Sequence, residues 1–432
     1  MRFVAITFFL MLPCTTQARN LSMGEAVQLA RQHSLLIKKA AAIDSAARSA
    51  VDAARAERMP TLSAVATSGY VSFVPSLDIQ IAPGRSMSRN VGAHESYQTD
   101  FRLGLPLYTG GRLGANISLA EANQSYADAI SSLNQTQVDY LARQEYYTLI
   151  RSDQTVLVAQ ASLHRAETLE KDVVSLYKAG VADSVAILDV GLALSKAQFA
   201  LRQAQTNRRS AELRLLIIIG LEPSETLNLS DTFATPALAP WPTVVSAAKP
   251  ELRATEALIL ANRSRYRLAR TDYFPTLSAV AGYSWGKPNL DRFNNTWNGY
   301  FTVGASLNWS FNIGGKTATN RRVALYNLDA ARYDRDQTAE NLGRDAQLAV
   351  EQLKLAYERY ANALEQYTIA QTNYRLATGQ FHDGILSTNR LVTIEADLTS
   401  AQAATSATLV DFHIARNAYE YAVGSNQNTK GN

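Results

Sequence analysis

Along Trp297–Asn312, apolar and polar residues alternate. Trp297, Gly299, Phe301, Val303, Ala305, Leu307, Trp309 and Phe311 fall on one side, and Asn298, Tyr300, Thr302, Gly304, Ser306, Asn308, Ser310 and Asn312 on the other. A period of two places these sets on opposite faces of an extended strand. Tyr97–Tyr108 alternates likewise, with Phe101, Leu103, Leu105 and Leu107 against Gln98, Asp100, Arg102 and Gly104. Leu277, Ala279, Ala281, Tyr283 and Trp285 make a third such face, and a less regular strand follows Pro60. The pattern predicts four strands, at about 60–74, 97–109, 275–286 and 297–312.

Elsewhere the period changes to that of a helix. Leu21–Arg58 and Pro250–Asp272 are rich in Ala, Arg, Leu and Glu, and Pro60 and Pro275 stop them. Gly111–Leu176 and Gly315–Tyr374 contain no proline. At 1.5 Å per residue each predicted helix would run roughly 90–100 Å. Leu353, Tyr357, Tyr360, Leu364, Tyr367, Gln371 and Tyr374 follow a 4-3 step, as do Leu188, Leu192, Ser195 and Phe199. Both predict coiled-coil seams. Ala179-Gly180 and Asp383-Gly384 read as helix ends capped by a left-handed glycine, so the long helices turn back as hairpins at two tips.

The chain reads as a duplication. Pro60-Thr61-Leu62-Ser63-Ala64-Val65-Ala66 recurs letter for letter at Pro275–Ala281. Gly110-Gly111-Arg112 corresponds to Gly314-Gly315-Lys316, Tyr177–Gly180 to Phe381–Gly384, and Gly220 to Gly424, all at an offset of 204. The expected organisation is a signal peptide at 1–18 and a first repeat at 19–220 with its tip near 180. A proline-rich connection at 221–248, a second repeat at 249–424 with its tip near 384, and a disordered tail at 425–432 complete it. Eleven extra residues of the first repeat fall between Ala66 and Gly110.

Long strands, greasy on one face and polar on the other, fit a transmembrane barrel with a wet lumen; a soluble antiparallel sheet shares the pattern. Four strands cannot close a barrel, and lipid does not tolerate an open edge. Other chains must complete it: two chains give eight strands, three give twelve.

Composition narrows the class. The apolar fraction is 47% and mean hydropathy −0.14, with no apolar run near the ~20 residues of a spanning helix. Net charge is only +4, from 42 basic and 38 acidic residues interspersed along the chain, so no nucleic-acid partner is expected. Arg2, the run Phe3–Leu12 and Thr15-Thr16-Gln17-Ala18 have the layout of a secretory signal peptide cut after Ala18. Cys14 is the only cysteine, and Pro13 before it argues against lipidation. The five histidines are scattered; His94-Glu95-Ser96-Tyr97-Gln98 starts like a zinc-protease motif but has Gln98 where the second ligand belongs. No enzyme, metal site or cofactor is expected.

The sequence resembles the TolC-type outer-membrane efflux protein family over essentially the whole mature chain. The carrying residues are Leu21–Ala30, Leu105-Pro106-Leu107-Tyr108-Thr109-Gly110-Gly111-Arg112 after a strand, Lys249-Pro250-Glu251-Leu252-Arg253 opening the second half, and the tip Gly180 with Leu188-Asp189. The resemblance implies a mixed α/β membrane protein, a homotrimer with a twelve-stranded barrel in outer-membrane lipid and a long antiparallel coiled-coil tunnel in the periplasm. It implies an outer-membrane exit duct that docks to a periplasmic adaptor (membrane fusion) protein and an inner-membrane pump or secretion transporter.

Adaptor docking is expected at the tips, with Gly180, Val181, Ser184 and Leu188 in the first and Gly384, Leu386 and Ser387 in the second. Members of the family often close the tip with acidic rings six and nine residues after the second tip glycine. Here Arg390 and Thr393 stand there, and Ala186 and Asp189 at the equivalent places in the first repeat. Asp183, Asp189 and Asp383 remain as acidic gate candidates, with Arg390 as a basic partner for Asp183 or Asp189. A porin-like barrel would leave about 300 helical residues unexplained, and a periplasmic scaffold or adaptor would leave the Trp297–Asn312 alternation unexplained.

Overall fold

The computed structural model describes residues 19–231, 235–237 and 240–425. The expected signal peptide, with Cys14, and residues 426–432 of the expected tail lie outside them. The elements are β1 (Arg19–Leu21), α1 (Met23–His33), α2 (Leu35–Ala56), β2 (Thr61–Tyr70), β3 (Ser76–Ala82), β4 (Arg85–Asn90), β5 (Glu95–Tyr108), α3 (Arg112–Lys178) and α4 (Ser184–Ile219). There follow β6 (Leu227–Leu229), α5 (Pro250–Thr271), β7 (Thr276–Lys287), β8 (Asn298–Asn308), α6 (Lys316–His382) and α7 (Thr388–Val423). The chain divides into two compact units.

The strand unit comprises Ala41–Ile130 and Glu251–Gln337. Its main sheet has the order β2-β5-β7-β8, antiparallel throughout. Phe101 lies opposite Ala64 and Tyr283, and Tyr283 opposite Phe301, so the apolar positions of all four strands share a face. Asp100 lies opposite Val65 and Ser284 on the other face. β2 and β8 each pair on one side only.

Two strand ends differ from expectation. β8 stops at Asn308 rather than 312; Trp309 and Phe311 lie beyond the ladder with ring centroids 4.7 Å apart, and Trp309 Nε1 donates to the Tyr273 carbonyl at 3.3 Å. β2 stops at Tyr70 rather than 74, because a second hairpin, β3–β4, follows. This hairpin occupies the region of the eleven extra residues and was not legible as strands. It is fastened to the β7–β8 loop by Arg89, which donates to Asn294 Oδ1 at 3.0 Å and lies over the Phe293 ring, and by the Gly92 amide on the Arg292 carbonyl at 2.8 Å.

The helical unit comprises Ser131–Pro250 and the described parts of Met1–Ala40 and Thr338–Asn432. The single helix expected over Leu21–Arg58 is broken. Ser34, at ψ 115°, ends α1, and its Oγ accepts the Ile37 amide at 3.3 Å. Leu21 belongs instead to β1, paired in parallel with β6 inside the connection expected to be irregular. Ser22 and Glu25 form a reciprocal capping box at the start of α1. α3 and α6 each have 67 residues, and α4 and α7 each have 36.

The seams require correction. In α6, Leu353 is fully buried and Tyr360, Tyr367 and Tyr374 are half-buried, as the 4-3 step predicts. Tyr357 is half-buried too and packs against a buried cluster with Leu353 and Phe412, but Leu364 and Gln371 are exposed, and Ala356, Ala363 and Ala377 are the buried small residues of the face. In α4 the whole stripe is displaced. Val190, Ala197, Ala204 and Ala211 are buried at seven-residue intervals, while Leu188, Leu192, Ser195 and Phe199 are exposed. Alanine at the contact lets helix axes approach closely, which a bulky side chain there would prevent.

Candidate functional site at the helical tips

α3 and α6 end in the same device. Gly180 and Gly384 take φ of 77° and 72°, a region open to glycine and costly for other residues. The Val181 amide returns to the Leu176 carbonyl and the Ile385 amide to the Gln380 carbonyl, each at 2.9 Å. These six-to-one bonds satisfy carbonyls that the helix end leaves open. Beneath the tips, Val173 of α3, Val190 of α4, Ala377 and Phe381 of α6, and Leu391 and Ile394 of α7 form one buried cluster. Burial in this region pushes the Tyr374 phenol up from its ordinary range.

The starts of the return helices differ. Asp183 is the N-cap of α4, and its Oδ1 accepts the Ala186 amide at 2.8 Å. Ser387 is the N-cap of α7 and makes no side-chain capping bond.

The structure brings half of the expected tip residues together. Val181, Asp183, Asp189, Gly384, Leu386 and Ser387 all line one cleft of about 380 Å³. Gly180, Ser184, Leu188, Asp383, Arg390 and Thr393 lie outside its lining. Val181 is 72% exposed and Leu188 71%. Leu386, expected as an exposed docking residue, packs against the buried cluster; its neighbour Ile385 is the exposed one, at 75%. The left-handed turn at Gly384 decides which of the two points inward, and sequence spacing does not encode that choice. Arg390 is exposed, and among the described residues of one chain no ion pair joins it to Asp183 or Asp189. The Thr393 hydroxyl donates back to the Asn389 carbonyl at 3.0 Å.

Sequence reasoning missed the polar staples between α3 and α7. Glu395 Oε1 accepts from Arg165 Nε at 3.1 Å, Ser162 Oγ at 3.0 Å and Thr399 Oγ1 at 2.8 Å, with both charged side chains under 20% exposed. Arg151 pairs with Asp411, and Arg143 with Glu420 at 3.5 Å. The arginines ascend α3 as their partners descend α7, the signature of antiparallel neighbours. His94 has a structural setting: its ring stacks on Tyr70, and Nδ1 lies 2.9 Å from the Val71 carbonyl.

Comparison with known proteins agrees with this architecture. Residues 26–221 and 241–425 match the outer membrane efflux protein family. No curated protein sequence matches the chain significantly. Among solved structures, the outer-membrane channel OprN superposes with a TM-score of 0.76 at 18% identity, over 93% of this chain and 89% of that one. VceC from Vibrio cholerae gives 0.76 at 15% identity, over 93% and 96%. The Campylobacter jejuni CmeC channel gives 0.75 at 14% identity, over 93% and 85%. At such identities the likeness shows the fold, while the family match spans most of the sequence. The chain belongs to the outer membrane efflux protein family and is an outer-membrane exit duct for efflux, with its helices in the periplasm.

Proposed function

We propose that three copies of this chain assemble into the duct, with the β2-β5-β7-β8 sheets closing a twelve-stranded barrel. One observation carries this reading: the sheet has two free edges, β2 and β8, together with one apolar face and one polar face. A free edge in lipid leaves backbone groups unsatisfied, so the edges must meet in a closed ring. The apolar face, with Tyr97, Trp285 and Trp297 toward one end and Tyr273, Trp309 and Phe311 toward the other, supplies a lipid-facing band between aromatic girdles. The polar face then lines the lumen. Two chains would give only eight strands, whose interior side chains fill. The equal lengths of α3 and α6, and of α4 and α7, support an internal duplication. Mass measurement in mild detergent is expected to give a trimer; a strand-rich monomer would overturn the closure.

The tips are the adaptor-facing end in this reading, and an inner-membrane pump or secretion transporter supplies the energy. The support is exposed apolar surface at Val181 and Ile385 beside a shared cleft. Val181→Asp and Ile385→Asp should abolish export while trimer and membrane insertion persist. Leu386→Asp would instead report packing. Normal export by both surface variants would remove the docking role.

Arg390 serves the closed tip by pairing with Asp183 or Asp189 of a neighbouring copy. Three-fold repetition would concentrate these charges where the tunnel narrows. Arg390→Glu should raise single-channel conductance and sensitise cells to large antibiotics; no change in either would leave closure to apolar packing.

A further inference from the structure

The polar face of the main sheet is almost uncharged. β2, β7 and β8 give it hydroxyls, amides, glycines, Val65, Val280 and Tyr300. Its only formal charges are Asp100 and Arg102, two residues apart on β5. The structure treats them differently.

Asp100 is tied to the wall. Its Oδ1 accepts from Ser284 Oγ at 2.6 Å, and Gln98 Nε2 lies 3.0 and 2.9 Å from its two carboxylate oxygens. Gln98 Nε2 also reaches Ser284 Oγ, at 3.2 Å, which locks the group across the β5–β7 pairing. The Arg102 carbonyl accepts from Ser63 Oγ at 3.4 Å, while its guanidinium is exposed and takes part in none of the side-chain hydrogen bonds or ion pairs of the described residues. Its register partners are Ser63 on β2 and Gly282 on β7, and the next residue on its own face is Gly104. No bulky side chain flanks it, so the guanidinium is free to reach away from the sheet.

We propose that Arg102 is the anion-selecting residue of the duct, the contact point for carboxylate, sulfonate or phosphate groups on exported molecules. This rests on the reading of the polar face as the lumen wall. A guanidinium presents a planar fork of donors matched to such groups and stays charged at any physiological pH. Asp100 is a weaker competitor, because donors fixed in the sheet occupy its oxygens. Closure by three copies would set three guanidinium groups at one level of a wall whose only other formal charge is Asp100, tied to its neighbours. A low-dielectric barrel focuses their field, and salt screens it over only about 10 Å at 0.1 M. Selectivity should therefore arise locally at this ring.

The test uses full-length protein in planar bilayers, reading conductance and the reversal potential across a potassium chloride gradient. Arg102→Gln should lower the chloride-to-potassium permeability ratio by about threefold or more, the scale of a focused charge ring. Arg102→Lys should keep the wild-type ratio, because it keeps the charge. Asp100→Asn should shift the ratio the other way and by less. A conducting channel whose ratio is the same in wild type and Arg102→Gln would overturn the role of Arg102 and leave the duct standing. A protein that conducts neither as wild type nor with the tip charge reversed by Arg390→Glu would remove the lumen reading, and the assignment with it.

Discussion

The two tips share a backbone and differ in chemistry. Each ends a 67-residue helix in a left-handed glycine and starts a 36-residue helix after it. The first tip carries an exposed apolar ridge, Val181, Val185, Leu188 and Leu192. The residues at the same places in the second are Ile385, Asn389, Val392 and Ala396. Only Ile385 of these is a fully exposed large apolar residue, for Val392 packs against the buried cluster. The first tip also has a bonded N-cap and the second has none. The backbones match while the side chains differ: the first tip offers exposed apolar surface, and the second a polar helix start without a side-chain capping bond.

The largest expected effect comes from the ridge. Val185→Asp should reduce export about tenfold or more, since desolvated apolar residues dominate a docking surface. Asn389→Asp, at the equivalent place in the second tip, should leave export near wild type. Efflux of a fluorescent substrate from whole cells compares the two directly. Equal loss at both sites would erase the distinction between the tips.

Next in size is the staple that ties the second tip's return helix to α3. Glu395→Ala strips Arg165, Ser162 and Thr399 of their shared acceptor. A poorly exposed guanidinium left without its carboxylate, keeping only the Thr399 hydroxyl at 2.8 Å, costs about 2–3 kcal/mol. Thermal unfolding in detergent should register the loss, and hydrogen exchange should localise it to α7 around Thr399. Loss spread evenly over α4 as well would mean that the two return helices share one support.

The cap of the first tip ranks third. Asp183→Ala removes the acceptor of the Ala186 amide and should cost about 1 kcal/mol. Ser387→Ala should cost little, because that hydroxyl makes no capping bond. Amide exchange in the first turn of α4 should accelerate about fivefold in the first variant, since every 1.4 kcal/mol is a factor of ten. The first turn of α7 should change little in the second.

Much of this architecture was legible in the sequence, for physical reasons that differ by element. The faces of β5, β7 and β8 were readable because a period of two allows only two assignments, and Phe301, Trp285 and Leu103 choose between them. The tips were readable because a left-handed turn selects glycine. The α4 seam was misread because Leu188 and Phe199 fit the same step as Val190, Ala197 and Ala204, and the search followed bulk. In close helix packing the small residue marks the contact, and bulk marks surface left for something else. The β3–β4 hairpin left no usable trace: its face of Leu77, Ile79 and Met87 is interrupted by Arg85 and Arg89. The staples were also invisible, because Arg165 and Glu395 are 230 residues apart and no local pattern links them.

The smallest expected effect is also the most direct way to make the tips alike. Ser387 already has the extended backbone of an N-cap, with φ −73° and ψ 152°, close to the −95° and 173° of Asp183. Its carbonyl accepts the Leu391 amide at 3.1 Å, so the helix starts there without side-chain help. Ser387→Asp would add a carboxylate able to take an open amide of the first turn and to meet the positive end of the helix dipole. The gain should be about 0.5–1 kcal/mol, seen as a two- to fivefold slowing of amide exchange over the first turn of α7. If ease of opening at this start is what the second tip contributes, the same variant should lower the frequency of channel openings in planar bilayers. The uncharged cap Ser387→Asn should act on opening frequency in the same direction, which separates capping from the charge that Ser387→Asp adds at the tip. Slower exchange with wild-type opening would show that the second tip moves as a rigid piece, and that the missing cap carries no task.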